Sequence, residues 1–331
     1  MRAAVIEGKR RFVVRDVPDP TPRSDEVVVG VQCCGVCGSD LHIYKEGAAI
    51  SAGHEFAGDI VNVGSAVQGW SVGDRVAVEP RISCGECEWC REGDVGLCDQ
   101  YYVALLEYEG AFATYARTRH TQLHRLPDEM PYEHAALAEP AACALHAIRQ
   151  SGLKEGQTAA VLGLGTIGQM VVRIAKALGA KAVYAAEQSP SRIELARGVA
   201  DHVVDINSGS AAKTTLELTG DRGADVVFEC SGSRTATQDA LAMVRKGGTV
   251  VIPGICFEWV DLPISNVVLR ELTIRGSICF SAGEYASALE LISTGRIDVA
   301  SLVSVSLPLD SINEAFEMAI GGEGGKIFIR P

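Results

Sequence analysis

The pattern of apolar and polar positions changes character near residue 145. Residues 1–145 contain short β-type runs broken by glycine and proline, among them EVVVGVQCCG, DIVNVGS, GDRVAVEP and GAFATYARTR. Runs rich in β-branched residues between such breakers are typical of short strands. The pattern therefore predicts an irregular β-rich domain over residues 1–145.

From residue 146 to 283, strand-like runs alternate with helical ones. QTAAVLG precedes TIGQMVVRIAKALG, KAVYAAE precedes SPSRIELARGV, and ADVVFECSG precedes RTATQDALAMVRKGG. This alternation predicts crossover units and a parallel sheet with helices on both faces, so the fold class is α/β. Residues 284–331 contain two helical and two strand-like runs, and their pattern alone does not decide which domain they extend.

Composition narrows the classes of function. The 331 residues carry a formal net charge of −12, and their basic residues are scattered, which excludes a nucleic-acid partner. The first residues lack the regions of a signal peptide, and no apolar run approaches membrane-spanning length, so we expect a cytoplasmic protein with no membrane partner. In that compartment, eleven cysteines favour metal binding or burial over disulfides.

A glycine-rich turn marks the second domain. Gly163, Gly165 and Gly168 form G-x-G-x-x-G between the strand-like TAAVL and an amphipathic helix. The glycines permit a tight turn, close approach of a pyrophosphate and helix packing on the strand. The amides near Thr166 and Ile167, at the start of the helix, are expected to bind the anion. The context therefore predicts a dinucleotide site.

Two residues bear on which dinucleotide binds. Glu187 ends the next strand-like run, nineteen residues after Gly168, where a carboxylate accepts hydrogen bonds from the adenosine ribose. It would repel a 2′-phosphate, so NAD is favoured over NADP. Arg192 keeps the question open, because a guanidinium beside the same ribose would partly offset that repulsion.

Three segments supply a set of candidate metal ligands. Cys37 lies in GVCGSDLHIY, His54 in AGHEFAG and Glu139 in LAEPAACALHA. One thiolate, one imidazole and one carboxylate make a sensible open zinc site, with a fourth position for water or substrate. Taken singly, each is more often a core or helix-capping residue. Cys143, four positions after Glu139, is an alternative ligand.

Four crowded cysteines indicate a second kind of site. Cys84, Cys87, Cys90 and Cys98 are separated by gaps of two, two and seven residues, short enough for one loop to wrap a tetrahedral ion. Four protein ligands leave no place for substrate, so this site is predicted to be structural. An iron–sulfur cluster and free buried thiols are the alternatives.

Together these motifs identify a family resemblance. GHEFAGDIVNVGSAV resembles the zinc signature of medium-chain alcohol dehydrogenases. CGSDLH, GDRVAVEP, the four-cysteine run, AEPAACALHA and the glycine-rich turn follow in that family's order, so the resemblance covers essentially the whole chain. The acid at position 139 points to the polyol, butanediol and threonine dehydrogenase branch.

The resemblance implies an architecture. Residues 1–145 are expected to form a GroES-like catalytic domain with a structural zinc lobe at 82–100. Residues 146–283 are expected to form a Rossmann domain that binds NAD, and residues 284–331 to return to the catalytic domain. Family members of this kind form homodimers or homotetramers, and we expect one of these assemblies.

The resemblance also implies roles at the active site. It places a catalytic zinc on Cys37, His54 and Glu139, with Glu55 adjacent or exchanging as a ligand, so that two zinc ions bind per chain. A hydride then passes between a secondary alcohol, of the polyol, diol or 3-hydroxy amino acid class, and NAD(H).

Four further residues take roles from the resemblance. Ser39 is similar to the family's proton-relay hydroxyl, and His42 to the end of that relay. Ile255 and Ile278 lie where relatives approach the nicotinamide.

Some alternatives stay open at this point. A zinc-free quinone or enone reductase, or a carbonyl reductase, would use NADPH on the same fold. A non-catalytic NAD-binding regulatory protein would keep the glycine-rich turn but not need Cys37. Only eleven residues separate His42 from His54, a shorter loop than relatives commonly have, which predicts a more open substrate pocket.

Overall fold

The computed structural model describes residues 1–48, 52–100 and 110–331. Its strands are β1 Arg2–Ile6, β2 Phe12–Asp16, β3 Glu26–Gly35, β4 Glu55–Val63, β5 Arg75–Val78, β6 Tyr115–Arg119, β7 Leu123–Arg125, β8 Thr158–Leu162, β9 Ala182–Glu187, β10 His202–Asp205, β11 Ala224–Glu229, β12 Val244–Ile252, β13 Thr273–Gly276, β14 Val303–Pro308 and β15 Lys326–Arg330. Its helices are α1 Gly38–Glu46, α2 Glu88–Glu92, α3 Tyr132–Ala136, α4 Ala138–Ser151, α5 Thr166–Ala177, α6 Pro190–Ala196, α7 Ala211–Leu218, α8 Arg234–Met243, α9 Ile264–Leu269, α10 Glu284–Ser293 and α11 Ile312–Gly321.

Six strands form a parallel sheet in the order β10-β9-β8-β11-β12-β13. Its central strands are nearly continuous apolar runs, because helices cover both faces; every residue of β11 is buried. The chain runs outward from β8 to β10 and then returns to β11, so the strand order reverses between β8 and β11. The carboxyl ends of strands at such a reversal line a ligand crevice.

A second sheet is mixed, with the order β14-β15-β3-β4-β5-β7, and β6 also pairs with β3. The long strand β3 is central: it pairs antiparallel with β4, β6 and β15. Strands β14 and β15 therefore extend the mixed sheet that contains β3, so these two strand-like runs join the N-terminal β-rich part, whereas β1 and β2 form a separate two-stranded sheet. The predicted α/β class, with a GroES-like β-rich part and a Rossmann-like parallel sheet, is confirmed.

Helix α4 packs against both the parallel sheet and the mixed sheet. Its sequence AEPAACALHAIRQS is alanine-rich, and eleven of its fourteen residues are buried. Small side chains let it contact α5 and α10 as well as strands of both sheets. One core cluster accordingly contains Cys33 and Ala57 of the mixed sheet together with Val161 and Phe228 of the parallel sheet.

Helix α11 packs against the strands that open the chain. Asn313 donates through its side-chain amide to the Phe12 carbonyl at 3.0 Å and accepts from the Phe12 N–H at 2.9 Å. The two residues are 301 positions apart. Phe12, Tyr44 and Phe316 form a ring cluster around this contact.

Candidate active site and metal centres

Cys37, His54 and Glu55 meet where β3 ends and β4 begins. Each offers one ligand atom, and these three atoms lie within 4.8 Å of one another. The pairing of β3 with β4 aligns Gly35 with Glu55, so the residues after β3 return against those that open β4. Cys37 is the N-cap of α1. A thiolate, an imidazole and a carboxylate at this separation fit the donor set of a zinc ion.

Asp40 orients the imidazole of this cluster. Its side chain is 1% exposed, and Oδ1 lies 3.4 Å from His54 Nδ1. Its two oxygens also accept from the backbone N–H groups of Gly53 and Cys37, both at 3.1 Å. Burial opposes ionisation of Asp40, but His54 and the two N–H groups outweigh it and hold the pKa of this carboxyl below its usual range. The contact at Nδ1 leaves Nε2 available to a metal ion.

Glu55 forms a buried ion pair with Lys326 of β15. The side chains are 1% and 2% exposed. Gly35 makes room for them, since a Cβ there would lie 2.6 Å from Lys326 Cε and 2.7 Å from Glu55 Oε2. Burial lowers the pKa of Lys326, but the charges of Glu55 and Cys37 outweigh it and raise this pKa above its usual value. The last strand thus supplies a cation to a cluster of anionic groups.

Glu139 lies beside the cluster, in the first turn of α4. It is 8% exposed and accepts a weak hydrogen bond from Cys143 Sγ at 3.6 Å. Burial and the charge of Glu55 together raise the pKa of Glu139 to about 7, although the charge of His54 opposes the rise. Glu139 is outside the three residues that lie within 4.8 Å of one another. Both carboxylates therefore remain available as the third ligand.

Cys84, Cys87, Cys90 and Cys98 form a separate group whose sulfur atoms also lie within 4.8 Å of one another. Sγ of Cys84 is 3.8 Å from that of Cys90 and 3.6 Å from that of Cys98, well beyond the roughly 2 Å of a disulfide. The backbone N–H of Cys84 and that of Cys87 each donate to a sulfur at 3.3 Å. A hydrogen bond from the Cys90 backbone lowers the pKa of Cys87 to about 7. The group fits a tetrahedral ion held by thiolates.

The glycine-rich turn joins β8 to α5, as the sequence predicted. Gly163 has a φ of +85°, which favours glycine. A Cβ on Gly168 would collide with the Gly163 carbonyl oxygen, so α5 approaches the turn more closely than a larger residue allows. Gly165 is the N-cap, and Thr166 and Ile167 begin the helix. Their N–H groups belong to the first turn of the helix, the position at which helices bind anions.

Glu187 ends β9 and is tied to the same turn. Its Oε2 accepts from the Leu164 N–H at 2.7 Å, and Oε1 accepts from the N–H groups of Gln188 and Ser189 at 2.8 and 3.0 Å. The side chain is 6% exposed. Arg192, on α6, lies beside Gly322 at the end of α11. The carboxylate is thus fixed at the carboxyl end of β9, in contact with the glycine-rich turn.

An aromatic contact joins α1 to the segment that follows β12. Ser39 and His42 lie on α1, and the ring of His42 meets the edge of Phe257, with centroids 5.0 Å apart. Phe257 follows β12, close to Ile255, which is 55% exposed. Ile278, beyond the end of β13, is 39% exposed. The loop between His42 and His54 includes residues 49–51, which lie outside the described residues, so the predicted openness of the pocket stays a prediction.

Two residues of the site were not predicted from the sequence. Asp40 lies inside the motif CGSDLH, where a short acid three residues after an N-cap is typical of helix capping. Lys326 lies in KIFIR, a plain strand pattern, and only the pairing of β15 with β3 brings it to the cluster. The only signal in the sequence was a lysine at the start of an apolar strand, a residue type that is rarely buried without a charged partner.

Comparisons with known proteins identify the family of this chain. Residues 23–128 match the alcohol dehydrogenase GroES-like domain, and residues 166–294 match the zinc-binding dehydrogenase family. A sorbitol dehydrogenase of Bacillus subtilis (strain 168) is 37% identical to the chain, over 97% of this chain and 94% of its own length. The chain belongs to the zinc-dependent alcohol dehydrogenase family. It is an oxidoreductase that acts on small-molecule alcohols, as the motifs implied.

Solved structures place this alcohol dehydrogenase among close structural neighbours. The 2R,3R-butanediol dehydrogenase from Bacillus subtilis superposes with a TM-score of 0.90 at 32% identity, covering 100% of this chain and 99% of that chain. A protein of Sinorhizobium meliloti 1021, described as a zinc-binding dehydrogenase and bound to NADP, superposes with a TM-score of 0.92 at 31% identity, covering 100% of this chain and 99% of that chain.

In the part of the chain that the structure describes, no helix combines the length and apolar character needed to span a membrane.

Proposed function

We propose that this alcohol dehydrogenase oxidises a secondary hydroxyl of a polyol or vicinal diol with NAD and reduces the corresponding ketone in reverse. The observation that carries the proposal is the cluster of Cys37, His54 and Glu55 beside the buried Glu139. The relatives named sorbitol dehydrogenase and butanediol dehydrogenase supply the substrate class. Both names denote compounds with more than one hydroxyl group.

The site residues divide the chemistry between them. Cys37, His54 and Glu139 would hold the catalytic zinc, with Glu55 as an adjacent or exchanging ligand. A zinc ion held there supplies a Lewis acid, which makes the hydroxyl of a bound alcohol more acidic. Ser39 Oγ would accept the proton released from the alcohol while its own hydroxyl proton passes toward His42, whose exposed ring would release a proton to solvent.

A substrate panel tests the proposal. The zinc-loaded enzyme is given sorbitol, xylitol, 2,3-butanediol, threonine and 2-propanol, and NADH formation is measured. We expect the highest kcat/KM with a polyol or the diol, and a loss of at least about 10³-fold in Cys37→Ser, since a metal ligand is removed. Turnover confined to threonine or to 2-propanol would contradict the substrate class, and full activity in Cys37→Ser would contradict the enzymatic role of the cluster.

We propose NAD as the preferred cofactor, because the Glu187 carboxylate is fixed at the end of β9 by the N–H of Leu164. There it would accept from a ribose and repel a 2′-phosphate. Reduction of a carbonyl with NADPH is the second candidate, favoured by the NADP bound to the neighbour of known structure and by Arg192 on α6. The ratio of kcat/KM for NAD to that for NADP distinguishes the two candidates. Glu187→Gln should shift this ratio toward NADP. A preference of the wild type for NADP would contradict the proposal that NAD is the cofactor.

We propose a second zinc ion on the four-cysteine lobe. The short sulfur separations and the N–H donors to Cys84 and Cys98 support it. Metal analysis of the purified enzyme should give two zinc ions per chain. A mild chelator should remove one of them without unfolding the lobe, whereas iron in place of zinc would contradict the assignment.

We also propose a domain division, an assembly and a cellular location for the protein. Two domains, with the division 1–145, 146–283 and 284–331, are supported by the contiguous strands of the parallel sheet and by β14 and β15 in the mixed sheet. A homodimer or homotetramer is supported by the exposed Phe257 and Trp259, which are 77% and 83% exposed. Light scattering tests the assembly. Cytoplasmic residence is supported by eleven free cysteines, and cell fractionation tests it.

A further inference from the structure

Glu229 is a buried acid outside the metal cluster and the glycine-rich turn. It is the last residue of β11 and is 0% exposed. It pairs in register with Leu162 of β8, at the point where the strand order reverses. Burial raises the pKa of this carboxyl, and the hydrogen bonds of the turn that follows oppose part of the rise. Burying a carboxyl group here is unfavourable because the group loses its hydration, so its interactions with the protein must compensate for that loss.

One oxygen of Glu229 organises the turn that follows it. Oε1 accepts from the N–H of Ser231 at 2.8 Å, from the N–H of Gly232 at 3.1 Å and from the Ser231 hydroxyl. Oε2 has no hydrogen-bond partner among the described residues. Three donors on one oxygen fix the turn 231–233 immediately before α8.

That turn is pressed between two segments of the crevice. On one side, a Cβ on Gly163 would lie 2.7 Å from Ser231 Cβ, so the turn touches the glycine-rich turn directly. On the other side, the Gly254 N–H donates to the Glu229 carbonyl at 3.0 Å, and a Cβ on Gly254 would lie 3.0 Å from Oε2. Ile255 follows at once. The turn therefore sets the separation between the two segments.

We propose that Glu229 is a positioning residue for the dinucleotide. It holds the turn 231–233 as a spacer between the glycine-rich turn, on which the pyrophosphate lies, and the segment at Ile255, against which the nicotinamide lies. The inference rests on the proposed use of NAD. NADH contacts both segments at once, whereas AMP contacts only the glycine-rich side.

Binding measured without turnover tests this role. The Kd values of NADH and AMP are determined by fluorescence and calorimetry for the zinc-loaded wild type, Glu229→Ala and Glu229→Gln. In Glu229→Ala we expect the Kd of NADH to rise about tenfold or more, equivalent to about 1.4 kcal/mol, while that of AMP changes less than about threefold. Glu229→Gln keeps an acceptor for the turn and should bind NADH within about threefold of wild type.

Asp225 provides a matched control at the opposite end of the same strand. It is 7% exposed and paired with Thr158, Arg222 and Arg245. Asp225→Ala should lower the melting temperature and leave the NADH to AMP affinity ratio unchanged. If Glu229→Ala also lowers the melting temperature but weakens NADH and AMP equally, its role is only structural and the inference is wrong.

A third variant covers the case in which Glu229→Ala does not fold. Ser231→Ala removes one donor to Oε1 and should weaken NADH relative to AMP about threefold. An unchanged ratio in that variant overturns the inference. Failure of the wild type to bind NADH is a different result, because it defeats the proposed function itself.

Discussion

Replacing Lys326 by methionine removes the only cation in direct contact with Glu55 among the described residues. Methionine keeps an unbranched apolar stem of similar length, so the change is mainly the loss of the ammonium group. The side chain of Glu55 is 1% exposed. Its carboxylate is therefore left buried without the cation that contacts it.

The size of the effect follows from the burial of both partners. Removing one partner of a buried ion pair costs about 3–5 kcal/mol, whereas an exposed pair contributes about 0–1 kcal/mol. We expect Lys326→Met to lose about 3–5 kcal/mol in the metal-free protein. Lys326→Met combined with Glu55→Gln should recover most of the loss, because the buried charge is gone.

Urea unfolding of the metal-free enzyme, followed by tryptophan fluorescence, measures the free energy of unfolding for the two single variants and the double variant. Lys176→Met is the control, since Lys176 and Asp201 form a pair whose side chains are 32% and 34% exposed. It should lose less than about 1 kcal/mol. The reasoning would be refuted if Lys326→Met lost as little stability as the Lys176→Met control, or if the double variant recovered none of the loss.

Three further predictions concern other parts of the chain. Asp225→Asn should reduce stability near neutral pH, because Arg222, Thr158 and Arg245 overcome the effect of burial and depress the pKa of Asp225. The stability difference from wild type should be complete above the unfolded pKa of about 3.9 and should vanish as the pH falls through the lower folded pKa. Urea unfolding of both proteins at a series of pH values measures it. Cys98→Ser should remove about one zinc ion per chain in metal analysis while the other stays bound; loss of both would contradict separate sites. Gly163→Ala should weaken NADH at least about tenfold in fluorescence titration, because the residue has a φ of +85° and faces Ser231; unchanged affinity would contradict a tight turn.

Short-range patterns predicted the parts of the site that are built locally. The glycine-rich turn follows a strand and begins a helix, and the four cysteines lie within residues 84–98, so local spacing predicted that each group comes together. Cys37 and His54 could be proposed as metal ligands because thiolate and imidazole groups bind zinc. The pairing of β3 with β4 then brings them together.

The sequence could not supply the partners that depend on long-range pairing. Lys326 reaches Glu55 only through the register of β15 on β3. Glu229 ends the run ADVVFE, which reads as a buried strand, and nothing local shows that its carboxylate holds a turn. Glu187 was predicted to face a ribose, and its bond to the Leu164 N–H depends on the parallel pairing of β8 with β9.

The contact between Phe12 and Asn313, 301 positions apart, has a consequence for synthesis on the ribosome. The strands of the parallel sheet, residues 158–276, are contiguous and emerge before β14 and β15, so that sheet can fold while the mixed sheet still lacks two strands. Pairings between distant parts of a chain form slowly. We expect pulse-labelled hydrogen exchange during refolding to protect amides of 158–276 first and those of β14 and β15 last, leaving the end of β3 that pairs with β15 exposed to chaperones in the interval.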